Sequence, residues 1–394
     1  MKVHLAGAML GLNLLGICSS AGSEVIDVNK FVGPGKERPV LVSLSGLSGE
    51  AAQVLQFDLY VQGFAFTNAE AAQYEISGSN NGNLEARAIQ RINNSVLLSK
   101  AYSGASLRRQ VHRFADDFVN ALSNHAKGIA QTQIMFKGEA GGKSEVYVAD
   151  FDGHGAQAVT RDNSIVAAPC WVPGRRAAYY TSYKLNHPDI FYHDFATGAR
   201  RPFAGYGGSN LSPAVSPDGR EVAMILSKDG WTDLYVGNAG GNDLRRLTRS
   251  PQDESSPCWS PDGKWICYAS KDGERRSLSR VPAAGGRPER LKTAGVFSPT
   301  EPDWSPDGRL IAFTAQYRGG FRTCVIPAAG GEATDLAEGE DPSWAPNSRT
   351  LICSRRAGGV GNYVLSLLDV PTKQVKDIPR ILGISSQSQP SWAK

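Results

Sequence analysis

Six times the chain returns to one short pattern, a Pro followed two residues later by Trp or a stand-in. The copies are Pro169-Cys170-Trp171, Pro213-Ala214-Val215, Pro257-Cys258-Trp259, Pro302-Asp303-Trp304, Pro342-Ser343-Trp344 and Pro390-Ser391-Trp392. Their third positions lie 44, 44, 45, 40 and 48 residues apart. A period of this size means stacked copies of one supersecondary unit, none of which can bury its apolar face alone. Three copies continue as Ser-Pro-Asp-Gly (216–219, 260–263 and 305–308), and two are degenerate, Val172-Pro173-Gly174 and Ala345-Pro346-Asn347-Ser348. Pro presets φ at the second position of a type I turn and Gly accommodates the exit.

Within each repeat, segments such as Lys264–Ser270 alternate apolar and polar residues, as strands do. A Gly-containing turn, a third strand such as Asp233–Val236, a Gly-Gly turn and a fourth strand such as Asp243–Thr248 complete the unit. Four short strands per repeat describe a propeller blade. The 43 Gly and 22 Pro residues, more than a globular average, fit that many turns. Residues 134–160 form a partial repeat without an innermost strand, and the orphan Pro390-Ser391-Trp392 supplies it. The expectation is a mainly β protein, a six-bladed β-propeller over 129–394 closed by its C-terminal strand, with no open edges.

Residues 22–128 lack the repeat and read as a small α/β domain. Strands are expected at 38–44, 74–77, 84–92 and 96–103, and a helix at 49–61. A second helix should run from about Ser106, its N-cap, to Asn124, because Leu107, Val111, Phe114, Phe118 and Leu122 recur at helical spacing. Residues 1–21 read as an export signal: Met1-Lys2, an apolar stretch from Val3 to Ile17, then Ser19-Ser20-Ala21. The five cysteines beyond it have no C-x-x-C spacing and sit in apolar strand patterns, so they read as small buried hydrophobes.

The chemistry of an enzyme is hard to find. There is no G-x-S-x-G, no phosphate loop and no H-E-x-x-H. His112 falls on the polar flank of the second helix and reads as a packing residue, and Asp150-Phe151-Asp152-Gly153 reads as a turn, not a calcium loop. No catalytic residue, metal or cofactor is expected. The 42 basic and 38 acidic residues leave a formal charge of +4, too little for a nucleic-acid partner.

In a propeller, the loops between blades share one face with the hairpins joining second and third strands. Here that mouth would carry Asn210, Glu254, Glu301 and Glu340 from the first set, and His187, Trp231, Arg275, Tyr317, Arg318 and Arg356 from the second. Mixed charge with aromatics suits a protein partner. Two alternatives stay open: an exported hydrolase or lyase using His187, and a glycan-binding module stacking sugars on Trp231 and Tyr317.

These blades, their closing strand and the preceding α/β domain resemble the TolB family of the periplasmic Tol-Pal system. The likeness extends to Arg109-Gln110-Val111-His112-Arg113-Phe114-Ala115-Asp116-Asp117, similar to the family's R-x-x-A-H-x-I-A-D segment, and to Pro39–Leu44 and Ala51–Phe66. One departure is that Asn68–Tyr74 bridges directly a region that is longer in the family. The resemblance implies a periplasmic, non-enzymatic adaptor, monomeric and not membrane-embedded, acting in envelope integrity, cell division and protein import. It implies that the mouth holds the peptidoglycan-associated lipoprotein Pal, and that the mature N-terminus, with Glu24, Val25, Ile26 and Asp27, contacts TolA.

Overall fold

The computed structural model describes residues 33–122, 127–358 and 361–394. The export signal and the Glu24–Asp27 segment lie outside them. Among the described residues, no helix is long and apolar enough to cross a membrane.

The α/β region is built on one sheet. Strand β1 (Val40–Ser45) is followed by helix α1 (Gly49–Tyr60) and by β2 (Phe64–Phe66), which returns parallel to it. On its other side β1 pairs in parallel with β3 (Tyr74–Ser79), and β4 (Leu84–Gln90) and β5 (Ser95–Tyr102) complete an antiparallel meander. Helix α2 (Leu107–Leu122) begins where expected, with the Arg109 amide donating to Ser106 Oγ at 3.4 Å. Its apolar stripe places Val111, Phe114 and Phe118 in the core beside Val54, Leu55 and Leu59 of α1. The three-residue β2 was not visible in the sequence, because Phe64-Ala65-Phe66 is too short for a period to register.

Six four-stranded sheets follow. Blade 1 has the closing strand Ser386–Trp392 innermost, then β6 (Gln133–Ala140), β7 (Lys143–Asp150) and β8 (Gln157–Ala158). The C-terminus therefore completes the first blade, as the repeat count requires. Blades 2 to 6 each run through four consecutive strands from the inside outward, apart from two short strands, Thr293–Ala294 and Gly331–Glu332, that pair in parallel beside blade 5.

The repeated Trp is the inter-blade wedge. Trp171, Trp259, Trp304, Trp344 and Trp392 are all buried. Trp259 Nε1 donates to the Ala214 carbonyl (2.9 Å), Trp344 Nε1 to Asp303 (3.1 Å) and Trp171 Nε1 to Ser391 (3.0 Å), in each case the middle residue of the preceding blade's Pro-x-Trp or Pro-Ala-Val triplet. The Trp171 bond joins blade 2 to the closing strand. In the intact Ser-Pro-Asp-Gly turns, Ser216, Ser260 and Ser305 each donate to the following Asp at 2.6 Å. Each Ser Oγ also accepts an amide from the next strand, as from Trp265 at 2.9 Å. Gly219, Gly263 and Gly308 have φ of 71°, 70° and 77°, a conformation costly for other residues.

The two regions share a core. Ile352, Leu365 and Trp392 from blades 6 and 1 pack in one cluster with Leu55 and Phe114. Thr350 Oγ1 donates to the Val61 carbonyl and Gln374 Nε2 to that of Phe64. Asp116 of α2 ties down the connecting segment by accepting the Ala130 amide (2.7 Å) and both the amide and side chain of Gln131. Gly128 passes so close that a Cβ would lie 2.3–2.5 Å from Asp116, so no larger residue fits there.

Candidate partner-binding mouth

The central channel takes its shape from the proline of each repeat. Proline has no N–H to give the ladder, so the inner strand loses a rung there and bulges. A register break occurs at this point in every blade. The residue before each Pro takes a left-handed conformation: Ala168, Ser212, Ser256, Glu301, Asp341 and Gln389 have φ between 48° and 53°. All six line the central channel, a cavity of about 480 Å³. Two adjacent blades place carboxylates there. Thr314 Oγ1 (2.6 Å) and the Asp341 amide (3.1 Å) donate to Glu301 Oε2. Burial, then the charge of Glu301, holds the Asp341 carboxyl well above the usual range.

The ten residues expected at the mouth separate by depth. His187, Trp231, Arg275, Tyr317, Arg318 and Arg356 are exposed, Trp231 by 53%. Glu301 and Glu340 are half-buried, and burial raises the Glu340 carboxyl. Asn210 and Glu254 are buried and hold loops in place. Asn210 Nδ2 donates to the Pro188 and Tyr206 carbonyls, while Glu254 accepts the Leu234 amide (2.9 Å) and the Thr248 hydroxyl. Burial pushes the Glu254 carboxyl up to about 7. Their polarity suggested a rim position, but each loop needs an internal acceptor or donor for its buried backbone.

Other rim residues were not singled out from the sequence. Ile165, Tyr183, Leu185 and Phe297 are exposed apolar side chains beside the expected ones. Phe297 closes a groove of about 480 Å³ between blades 4 and 5 that is also lined by Arg275, Arg276, Arg290 and Lys292, with no acidic residue in its lining. His187 Nδ1 lies 3.0 Å from Asp189 Oδ1, and Asn210 Nδ2 donates to the same oxygen.

Away from the mouth, one group of three among the described residues offers metal-type ligand atoms within 4.8 Å: Asp58, His112 and Asp152. The Arg108 guanidinium already bonds Asp152, so this is a charge network and not a cation cage. It corrects the placement of His112, which lies on the buried side of α2 and not on its polar flank. The 150–153 segment is the expected turn, closed by the Gly153 amide donating to the Asp150 carbonyl at 2.8 Å.

A family model, PD40, the TolB beta propeller domain, matches residues 122–394. The chain belongs to the TolB family. The Tol-Pal system protein TolB of Bordetella pertussis is 31% identical over 173 residues, 43% of this chain and 39% of that protein. That of Anaeromyxobacter dehalogenans is 33% identical over 156 residues, 40% and 36% of the two chains. The chain thus matches well under half the length of these curated relatives. The crystal structure of TolB from Acinetobacter baumannii has the same fold, with a TM-score of 0.80 over 91% of this chain and 98% of that one at 20% identity. A chain of the nidogen/laminin complex aligns at a TM-score of 0.55 and 11% identity over 66% of this chain, so the propeller shape alone is shared more widely than the TolB family.

Proposed function

We propose that the protein is a non-enzymatic adaptor of the Tol-Pal system that works in the periplasm and holds the peptidoglycan-associated lipoprotein on its propeller mouth. The observation that carries this reading is the rim itself: Trp231, Tyr317 and Phe297 stand exposed among Arg275, Arg318 and Arg356. Exposed aromatics beside arginines are the usual anchors of protein interfaces. Family membership and the Tol-Pal names of the curated relatives support the partner. Contact with TolA through Glu24–Asp27, and a part in cell division, envelope integrity and protein import, belong to the same proposal. Surface-plasmon measurements with an immobilised soluble Pal domain should give saturable binding that weakens at least tenfold in Trp231→Ala; a flat response would sink the reading.

A hydrolase is favoured by one feature, the Asp189–His187 couple, because a carboxylate that orients an imidazole is the support a general base needs. Its test is a panel of ester, lactone and peptide substrates: hydrolysis that disappears in His187→Ala would establish it, and a silent panel would end it.

A further inference from the structure

The charge network under α2 joins two parts of the molecule. Asp58 comes from α1 and His112 and Arg108 from α2, whereas Asp152 belongs to the turn after β7, in blade 1. Asp58, His112 and Asp152 are exposed by 0%, 2% and 4%. His112 Nδ1 sits 2.7 Å from Asp58 Oδ2, and Nε2 faces Asp152 Oδ2 at 3.5 Å. Nε2 has no other polar partner, and the edge of the imidazole is sealed by Phe151, ring centroids 5.6 Å apart. Arg108 bonds Asp152 and, at 3.2 Å, Glu50 of α1. Asp116, one turn beyond His112, is the remaining charged neighbour.

Charge balance decides the state of the imidazole. Protonated His112 and Arg108 supply two positive charges beside Asp58, Asp152 and Asp116, and Nε2–H then points at the blade's carboxylate. Without that proton, a single guanidinium faces the same three side chains in a buried site, and the Nε2 lone pair is turned toward a carboxylate oxygen. Both features are costly away from water. We propose that His112 is a proton-operated clasp between the α/β region and the propeller, adding a second tie from the helix pair to Asp152 of blade 1, beside the Arg108 bond, when protonated and withdrawing that tie when neutral.

The shifts agree in sign. His112 is held above its ordinary value by Asp58 and Asp152 against the opposing effect of burial. Burial lifts Asp58 to about 7, against the pull of His112. Both groups bind protons more tightly folded than unfolded, so on the acid side Asp58 also takes up a proton and the tie that counts is the one from His112 Nε2–H to Asp152. It is lost as pH rises through the folded values, across neutrality.

The test uses the full chain labelled with ¹³C at histidine Cε1, together with hydrogen exchange of residues 128–132 and 151–154. His112 should titrate above 6.5 in the wild type and at least half a unit lower in Asp152→Asn. Exchange of the two segments, corrected for its intrinsic pH dependence, should rise about tenfold between pH 6 and 8.5 in the wild type, but not in Asp152→Asn, where the tie is already cut. Titration of His112 at or below 6.5, or exchange insensitive to pH, would overturn the clasp. So would stoichiometric zinc binding that depends on Asp152, because a metal would then hold the place assigned to the proton.

Discussion

At the turn end of the channel, Ser216, Ser260 and Ser305 donate to Asp218, Asp262 and Asp307 at the same 2.6 Å, blade after blade. Deeper in the channel wall, midway along the inner strands, the six residues before the repeated Pro share one backbone conformation but are Ala, Ser, Ser, Glu, Asp and Gln. Blades 3 to 5 repeat their turn side chains, whereas the channel wall repeats only its backbone in all six. The first pattern fixes a tight turn at the end of an inner strand, where Pro, Asp and Gly each set one backbone conformation. The second is what a binding surface permits: a fixed backbone whose side chains are free to differ. The loops beyond follow the same rule, with exposed Trp231 on blade 3 and Tyr317 on blade 5 at comparable hairpins.

The largest expected effect lies at the wedge. Trp344→Ala, which removes a fully buried indole and its bond to Asp303, should lower stability by about 3–5 kcal/mol in denaturant titration. Near-wild-type stability would mean that the turn end is not the scaffold. At the mouth the effect should move from stability to affinity. Arg318→Glu should leave unfolding within about 0.5 kcal/mol yet weaken Pal binding about tenfold, as read by competition in solution.

A smaller change sharpens the turn end. Ser260→Ala deprives the Trp265 amide of its acceptor and should cost about 1 kcal/mol. In the degenerate turn Asn347 Oδ1 accepts the Arg349 and Thr350 amides instead, so Asn347→Ala should cost a similar amount. The smallest effect concerns Glu254, whose folded carboxyl at about 7 lies above its ordinary 4.5. The folded state therefore holds this proton more tightly, and the side chain's contribution to stability declines as pH rises from about 4.5 to about 7. Glu254→Gln should accordingly raise the melting temperature more at pH 8 than at pH 5.

The propeller was legible because its information is local. Pro, Asp and Gly each fix a turn conformation within four residues, and Trp259 or Trp344 announces the wedge at a constant offset. Helix α2 was legible for the same reason, through one apolar stripe. The bulges before Pro169 or Pro302 were not, because the residue that turns left-handed has no fixed identity; the proline itself was the available signal, since it cannot serve a central ladder. Polar residues were misjudged wherever their partners were distant. Glu254 and Asn210 looked like rim residues because nothing in a sequence marks the buried amide or carbonyl they satisfy. His112 was read as a packing residue but placed on the polar flank, because Asp58 is 54 residues away and the helix pattern counts a histidine as polar.

The central claim is that the mouth binds and the turn end supports. Its most direct test is a calorimetric titration of residues 22–394 with the soluble domain of a Pal-type lipoprotein, at low and high salt, for the wild type, Arg318→Glu and Ser260→Ala. The account predicts saturable binding for the wild type and Ser260→Ala with equal affinity, and a loss confined to Arg318→Glu that narrows as salt rises. Equal affinity in all three proteins, or no binding at either salt, would contradict it.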